Sequence, residues 1–317
     1  MQQSMIESNT AEARIEGLVI SSTGSWYEVA TEHGMLTCRI RGRLRLKGIR
    51  STNPVVVGDR VMVEPDDESS AIVEILPRRN YIIRRASNLS KESHIIGANI
   101  DRALLIVTLH SPSTPVEFVD RFLVTCEAYN VPVTIVLGKA DTLTGEHEAE
   151  AEEFMAIYQD AGYDLIRLSS TTGEGIAQIR ELLKGHTTLI AGNSGVGKST
   201  LVSTIDPELD IRTGEISESH HKGKHTTTFS TMYALEGGYI IDTPGIKGFG
   251  LIDIEGRELC RYFPEMMRLS PSCRFYNCTH THEPGCAVTE AVKEGRVAWS
   301  RYDSYLKILD EDDKYRK

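Results

Sequence analysis

Residues 192–200 read Gly-Asn-Ser-Gly-Val-Gly-Lys-Ser-Thr, and the reading of this stretch decides the fold. The apolar run Thr-Thr-Leu-Ile-Ala precedes it at 187–191 and Leu-Val-Ser-Thr-Ile follows at 201–205. The sequence therefore predicts a buried strand, a glycine loop and a helix start in that order, which is the context a phosphate-binding loop requires. Backbone N–H groups must wrap phosphate oxygens closely, in part at backbone angles a side chain forbids, at the positive end of a helix dipole. The candidate phosphate site is thus Gly192, Asn193, Ser194, Gly195, Val196, Gly197, Lys198, Ser199 and Thr200. Within it Lys198 is placed to reach the terminal phosphates, and the Ser199 hydroxyl to ligate Mg²⁺, a hard cation that takes oxygen ligands.

Composition bounds the rest. A chain of 317 residues has room for two or three domains, each with a core of its own. No apolar run approaches the roughly 20 residues of a membrane span, and residues 1–13 are polar, unlike a secretory leader. A cytoplasmic protein with no membrane contact is the expectation. Six cysteines are too few for a disulfide scaffold in a chain of this size, and three of them crowd near the end beside a histidine, which points to a metal. A net charge of −10 argues against attraction of the whole surface to nucleic acid, so any such binding must rest on a local basic patch.

Such a patch lies at the front. Past a flexible start at 1–13, residues 14–85 carry short β-rich runs at 15–20, 26–29, 35–46, 60–64 and 71–76, separated by turn signals, and predict a small barrel of the oligonucleotide-binding (OB) type. In 39–47 the pattern alternates so that Arg39, Arg41, Arg43, Arg45 and Lys47 share one strand face. Five like charges repel unless something anionic lies nearby, and a phosphate backbone suits them better than water does. The polar stretch 86–98 reads as a linker. From 99 to 250 the pattern changes to alternating strands and helices, with helices expected at 115–129, 146–161 and 176–183, which predicts a parallel sheet covered on both faces.

Further loops belong with the phosphate loop. Gly138, Lys139, Ala140 and Asp141 follow the apolar strand 133–137, at the strand end where open α/β sheets bind ligands. The Asp141 carboxylate can accept from the N1–H and exocyclic amine of guanine, a pair of donors that adenine lacks. Ser169, Ser170 and Thr171, after the next strand, are candidate backbone donors to the base oxygen. Residues 212–224 have no periodicity and lead into Lys224-His225-Thr226-Thr227-Thr228; the stretch reads as a mobile switch whose threonine, Thr227 or a neighbour, closes over Mg²⁺. Asp242, at the end of a buried strand, is placed to hold a metal-bound water, and Gly245 to offer its N–H to the terminal phosphate.

The last segment, 251–317, contains Cys273, Cys278 and Cys286 with His280 and His282 among them. Three thiolates and one imidazole make a closed tetrahedral set for structural Zn²⁺, with the two histidines competing for the fourth position. Residues 287–309 read as one long amphipathic helix, and 310–317 as a charged tail. Cys38, Cys126 and Cys260 stand alone in the sequence.

Taken together, these motifs are those of a GTPase in a permuted order, with the base-reading loops ahead of the phosphate loop. With a barrel in front and a cysteine cluster behind, the chain resembles the RsgA family of circularly permuted, small-ribosomal-subunit-dependent GTPases. That resemblance selects His280 over His282 as the fourth zinc ligand. It implies binding of the small ribosomal subunit and its 16S-type rRNA, hydrolysis of GTP to GDP and phosphate in late subunit maturation, and a monomer. Ile246 cannot orient an attacking water, so His225 is the candidate catalytic residue, with His220 and His221 as alternatives; the resemblance supports His225. The family has Asn-Lys-x-Asp where this chain has Gly138-Lys-Ala-Asp, which predicts weaker or faster-exchanging nucleotide binding. The rival reading is an RNA-binding module whose guanine-nucleotide site is regulatory and turns over little.

Overall fold

In the computed structural model, residues 14–41, 54–66, 69–85, 93–209, 231–242, 256 and 258–315 are described. The front unit consists of β1 (Ile15–Ser22), β2 (Tyr27–Thr31), β3 (Gly34–Ile40), β4 (Arg60–Glu64) and β5 (Ser70–Ile75). They pair in the order β1-β2-β3-β5-β4, and β4 returns to β1, so the sheet closes into a barrel with no free edge among these strands. Alternation drives the closure. Val19, Val29, Cys38, Val61, Val63 and Ile72 are fully buried inside, whereas Glu28, Thr37 and Arg39 between them face outward.

Part of the expected linker belongs to the folded body. Residues 93–98 form β7 (Ser93–Ala98), which pairs antiparallel with β6 (Tyr81–Arg85). Ile95 and Ala98 are buried against Ile83 and Val56, and the Ala98 N–H donates to the Val57 carbonyl at 2.9 Å. Asn80 adds a reciprocal pair with the Ile100 backbone, both bonds 2.8 Å. The hairpin is therefore a brace between barrel and central sheet.

The central sheet runs β10-β9-β8-β11-β13-β12, with β8 (Arg102–Val107), β9 (Val133–Leu137), β10 (Asp164–Arg167), β11 (Thr187–Ala191), β12 (Thr231–Leu235) and β13 (Gly238–Asp242). All neighbours are parallel except β12, which is antiparallel to β13. The helices are α1 (Val116–Ala128), α2 (Glu146–Ala161), α3 (Ile176–Leu183) and α4 (Lys198–Ile205). Both sheet faces are covered, which is why β8 is apolar at every position from 103 to 107. Ala103, Leu105 and Val107 pack on the face under α1 and α2 with Phe122 and Tyr158, and Leu104 and Ile106 on the face under α3 and α4 with Ile179 and Leu201. Burying a side chain such as Phe122 contributes about 2–3 kcal/mol. A single register pair, Ser21 with Thr231, continues the sheet into the barrel.

The C-terminal unit holds α5 (Pro264–Leu269), α6 (Ala287–Lys293) and α7 (Trp299–Tyr315). The single helix expected over 287–309 is two, because Gly295 takes φ +74° and the Arg296 N–H turns back to the Ala291 carbonyl at 2.8 Å. α7 also continues to Tyr315, through most of the expected tail. The unit is fastened to the central sheet through Arg301, which is 1 % exposed. Its guanidinium donates to both Glu265 oxygens (2.7 and 3.2 Å) and to Asp120 Oδ1 (2.6 Å), which also accepts the Tyr158 hydroxyl at 2.8 Å. Among the described residues no helix is long and apolar enough to cross a membrane.

Candidate functional site

β11 ends at Ala191, and the chain wraps through residues 192–197 before α4 starts at Lys198. Gly192, Gly195 and Gly197 all take positive φ, at +148°, +81° and +103°. A Cβ on Gly192 would lie 2.4 Å from the Ile106 carbonyl oxygen of neighbouring β8, so only glycine permits this approach. Lys198 is buried, and its ammonium donates to the carbonyls of Gly192 (2.7 Å) and Asn193 (2.9 Å). Val196 points into the core, while Ser194, Gly195 and Thr200 are exposed and Ser199 is half-buried. No side chain caps the start of α4. A helix N-terminus with a folded-over ammonium beside it is an arrangement that can receive an anion. The register of β11 with β13 pairs Ile190 with Asp242, bringing the Asp242 backbone beside this loop.

The loop at 138–141 lies at the same end of the sheet, after β9, with β8 between it and β11. Gly138 extends the ladder by donating to Val107 O at 2.8 Å, and Ala140 donates to Leu168 O at 2.9 Å. Lys139 adopts φ +58°, and its ammonium donates to the Ser111 carbonyl. A Cβ on Gly138 would sit 3.2 Å from the Val196 carbonyl oxygen, so the two loops touch at that point. Asp141 is exposed, and its Oδ1 accepts the Ser169 hydroxyl at 2.6 Å.

Ser169 is placed differently from the expectation. It is fully buried, and its own N–H is already given to the Glu174 carbonyl at 3.1 Å, so that donor is not turned toward a base. Its hydroxyl oxygen instead accepts from the Thr171 and Thr172 N–H groups (3.2 and 3.1 Å) while donating to Asp141. Ser169 thus fixes the carboxylate and shapes the turn that carries Ser170. The only signal in the sequence was a serine opening a Thr-Thr-Gly turn after a strand, a pattern that marks a side-chain-capped turn. His225, its alternatives His220 and His221, Thr226, Thr227, Thr228, Gly245 and Ile246 lie outside the described residues.

The cysteine cluster is brought together as expected. Cys273, Cys278, His280 and Cys286 present ligand atoms all within 4.8 Å of one another. His280 Nδ1 lies 3.6 Å from Cys273 Sγ and 3.4 Å from Cys286 Sγ, and the two sulfurs are 4.0 Å apart. A tetrahedral ion with Zn–S near 2.3 Å and Zn–N near 2.0 Å requires about 3.8 Å between sulfurs and about 3.5 Å from sulfur to nitrogen. The donor set therefore fits. The supports are specific: Tyr302 and Tyr305 of α7 donate to the carbonyls of His280 (2.6 Å) and Thr279 (2.8 Å). Cys286 caps α6 by accepting the Thr289 N–H at 3.4 Å. Burial opposes charge on Glu283, but hydrogen bonds from the Thr279 hydroxyl and from backbone N–H groups hold its carboxyl down at about 2. His282 is exposed and bonded to Thr281, away from the cluster. Cys260, which stood alone in the sequence, shares the core of Cys273 and Cys286; burial and those thiols push it up to about 12.

Of the basic strand, Arg39 and Arg41 are described, and Arg43, Arg45 and Lys47 lie outside the described residues. Arg39 is exposed and stacks over the Trp26 ring, 3.6 Å from its centroid, and Arg41 pairs with Glu64. A guanidinium on an indole presents a flat cationic surface.

The family model for the RsgA GTPase matches residues 75–252, and that for the RsgA N-terminal domain matches residues 16–73. The small ribosomal subunit biogenesis GTPase RsgA of Bacteroides fragilis is 52% identical over 307 residues, covering 95% of this chain and 99% of that one. The protein of the same name from Porphyromonas gingivalis is 53% identical over 310 residues, covering 95% and 98%. Among solved structures, YjeQ from Thermotoga maritima superposes with a TM-score of 0.76 at 34% identity, covering 94% of this chain and 98% of that one. YloQ, described as a circularly permuted GTPase, gives a TM-score of 0.73 at 29% identity and covers 98% of both chains.

Proposed function

The chain belongs to the RsgA GTPase family, and from that premise we propose that it hydrolyses GTP on the small ribosomal subunit during late maturation. The observation that carries the reading is one end of the central sheet. There the glycine loop at 192–200 follows β11 and the Asp141 carboxylate, held by Ser169, follows β9, with β8 between them and Gly138 close against the Val196 carbonyl. Phosphates at the first and guanine at the second would belong to one nucleotide bound beyond the carboxyl ends of the strands.

In this reading the backbone N–H groups of 192–197 and the start of α4 hold the phosphates, and Lys198 leaves its two carbonyl partners for the terminal ones. Asp141 reads the guanine donors. Ser199, Asp242 and Thr227 offer the oxygen donors that suit Mg²⁺ and would hold it, and it would supply positive charge against the phosphates of GTP. His225 orients the attacking water, whose oxygen bonds to the γ-phosphorus as the bond to the β–γ bridging oxygen breaks, giving GDP and phosphate. The three thiolates and His280 hold one structural Zn²⁺, with no open position for catalysis. Arg39, Arg41, Arg43, Arg45 and Lys47 contact 16S-type rRNA phosphates, Arg39 also offering its stacked face. The protein works in the cytoplasm as a monomer, without membrane.

Co-sedimentation tests the partner. With a non-hydrolysable GTP analogue the protein should pellet with isolated small subunits and not with large ones, and charge removal at Arg39 and Arg43 should weaken this and lower its salt dependence. Equal pelleting with both subunits would remove the assignment. For catalysis, His225→Ala should keep GTP binding and lose subunit-stimulated turnover; full stimulated turnover would reassign the role.

A further inference from the structure

Apart from the nucleotide loops and the cysteine cluster, one more group of metal-ligating side chains converges among the described residues. His110, His147 and Glu150 bring their ligand atoms within 4.8 Å of one another. His110 stands in the loop between β8 and α1. His147 and Glu150 are three residues apart in the first turns of α2 and so project from one side of that helix. His110 Nε2 lies 2.8 Å from Glu150 Oε2, and His147 Nδ1 lies 3.9 Å from the same oxygen. The two imidazole centroids are 3.9 Å apart.

A hydrogen bond accounts for His110 and Glu150 but not for His147. Its Nδ1 stands 3.9 Å from the shared oxygen, beyond hydrogen-bond range, with its ring against that of His110. One cation at the point of convergence satisfies all three groups. Two imidazole nitrogens and one carboxylate oxygen form a set that borderline divalent ions take, and one that Mg²⁺ and Ca²⁺, which prefer oxygen alone, do not. Ligands around one ion at about 2.1 Å stand roughly 3.0–3.5 Å apart. Side-chain rotation brings the present 2.8 and 3.9 Å separations to that spacing, and exposures of 37, 51 and 53 % leave room for it.

We propose that His110, His147 and Glu150 form a second metal site, which reversibly binds one divalent ion of the zinc, cobalt and nickel class. Unlike the cysteine cluster it has no thiolate, and it keeps coordination positions open to solvent. Ligation joins two elements that the backbone leaves separate, the loop after β8 and the start of α2. That loop also carries the Ser111 carbonyl that receives the Lys139 ammonium, and Pro112, whose Cδ would lie 3.4 Å from a Cβ on Gly195. The ion would therefore stiffen a wall that touches both nucleotide loops, although its binding does not depend on any nucleotide.

The test is a Co²⁺ titration of the full-length protein with its tightly held metal in place, read by absorption and by metal content. The wild-type chain should take up one further Co²⁺ with a Kd on the order of 10 µM, showing weak d–d bands and no new thiolate charge-transfer band. His110→Ala and His147→Ala should each weaken this at least about tenfold. Glu150→Gln keeps both rings and a hydrogen-bonding side chain, so loss of affinity there reports ligation rather than packing. No ion beyond the thiolate-bound one in the wild type, or equal uptake by the double variant His110→Ala/His147→Ala, would overturn the proposal.

Discussion

Ser169→Ala offers a sharp probe of how the base-reading loop works. The substitution removes one charge-assisted hydrogen bond, 2.6 Å to Asp141 Oδ1, and strips the Thr171 and Thr172 N–H groups of their acceptor. A hydrogen bond to a charged group is worth about 1.5–3 kcal/mol, and the lower end applies because Asp141 is exposed. The two orphaned donors belong to exposed residues that water reaches, so they add on the order of 1 kcal/mol together. The stability loss should be about 2.5 kcal/mol, a fall of roughly 5–10 °C in melting temperature for a domain of this size. Nucleotide affinity should fall about tenfold, because the carboxylate must be ordered on binding instead of beforehand. Stability alone does not separate orientation from packing, so the decisive assay compares GTP with ITP, which lacks the exocyclic amine. Wild-type protein should prefer GTP, and Ser169→Ala should narrow that preference while the phosphate loop stays intact. A lower melting temperature with an unchanged GTP-to-ITP ratio would refute the reasoning and leave Ser169 as a packing residue.

Other expectations follow from neighbouring contacts. Gly138→Asn should tighten GDP binding by roughly fivefold, since an amide there can donate to the Val196 carbonyl and one hydrogen bond is worth about 1 kcal/mol; Gly138→Ala, which brings only the Cβ crowding at 3.2 Å, should bind no tighter than wild type. Equal affinities for the two variants in a fluorescent-nucleotide assay would end the bracing idea. Arg301→Met leaves Asp120 and Glu265 buried without their cation and should lower stability by about 3–5 kcal/mol in denaturant unfolding; a loss under about 1 kcal/mol would show that the network is dispensable. Chelation of the metal proposed for the cysteine cluster should strip hydrogen-exchange protection from α6, which Cys286 caps, and from α7, which Tyr302 and Tyr305 tie to the cluster, while β8 and β11 keep theirs. Uniform protection after complete metal loss would contradict a structural role.

The sequence made the phosphate loop legible because its chemistry fixes residue types: Gly192 is compelled by a carbonyl 2.4 Å from where a Cβ would stand. The strands of the barrel and central sheet were legible for a related reason, since burial on one face or two writes directly into alternation or an apolar run. What is not legible in the sequence depends on contacts distant in it. Strand β7 contains serine, histidine and glycine and reads as polar, yet its pairing with β6 and the burial of Ile95 and Ala98 make it a strand. Arg301 and Asp120 are 181 residues apart, and nothing local marks either charge as buried. The break at Gly295 was visible as a glycine but was overridden by the helical periodicity on both sides of it. The Ser169 hydroxyl bonds Asp141 and the Thr171 and Thr172 N–H groups, contacts that a serine in a polar turn does not reveal until the partner of each atom is known.

GTP turnover by the purified protein, measured with and without isolated small ribosomal subunits, bears most directly on the proposed function, with large subunits and ATP as controls. Slow intrinsic hydrolysis that rises selectively with small subunits, and that ATP neither replaces nor inhibits, is the expected result. Tight GTP binding with no stimulated turnover would contradict it, and would leave an RNA-binding protein with a regulatory nucleotide site.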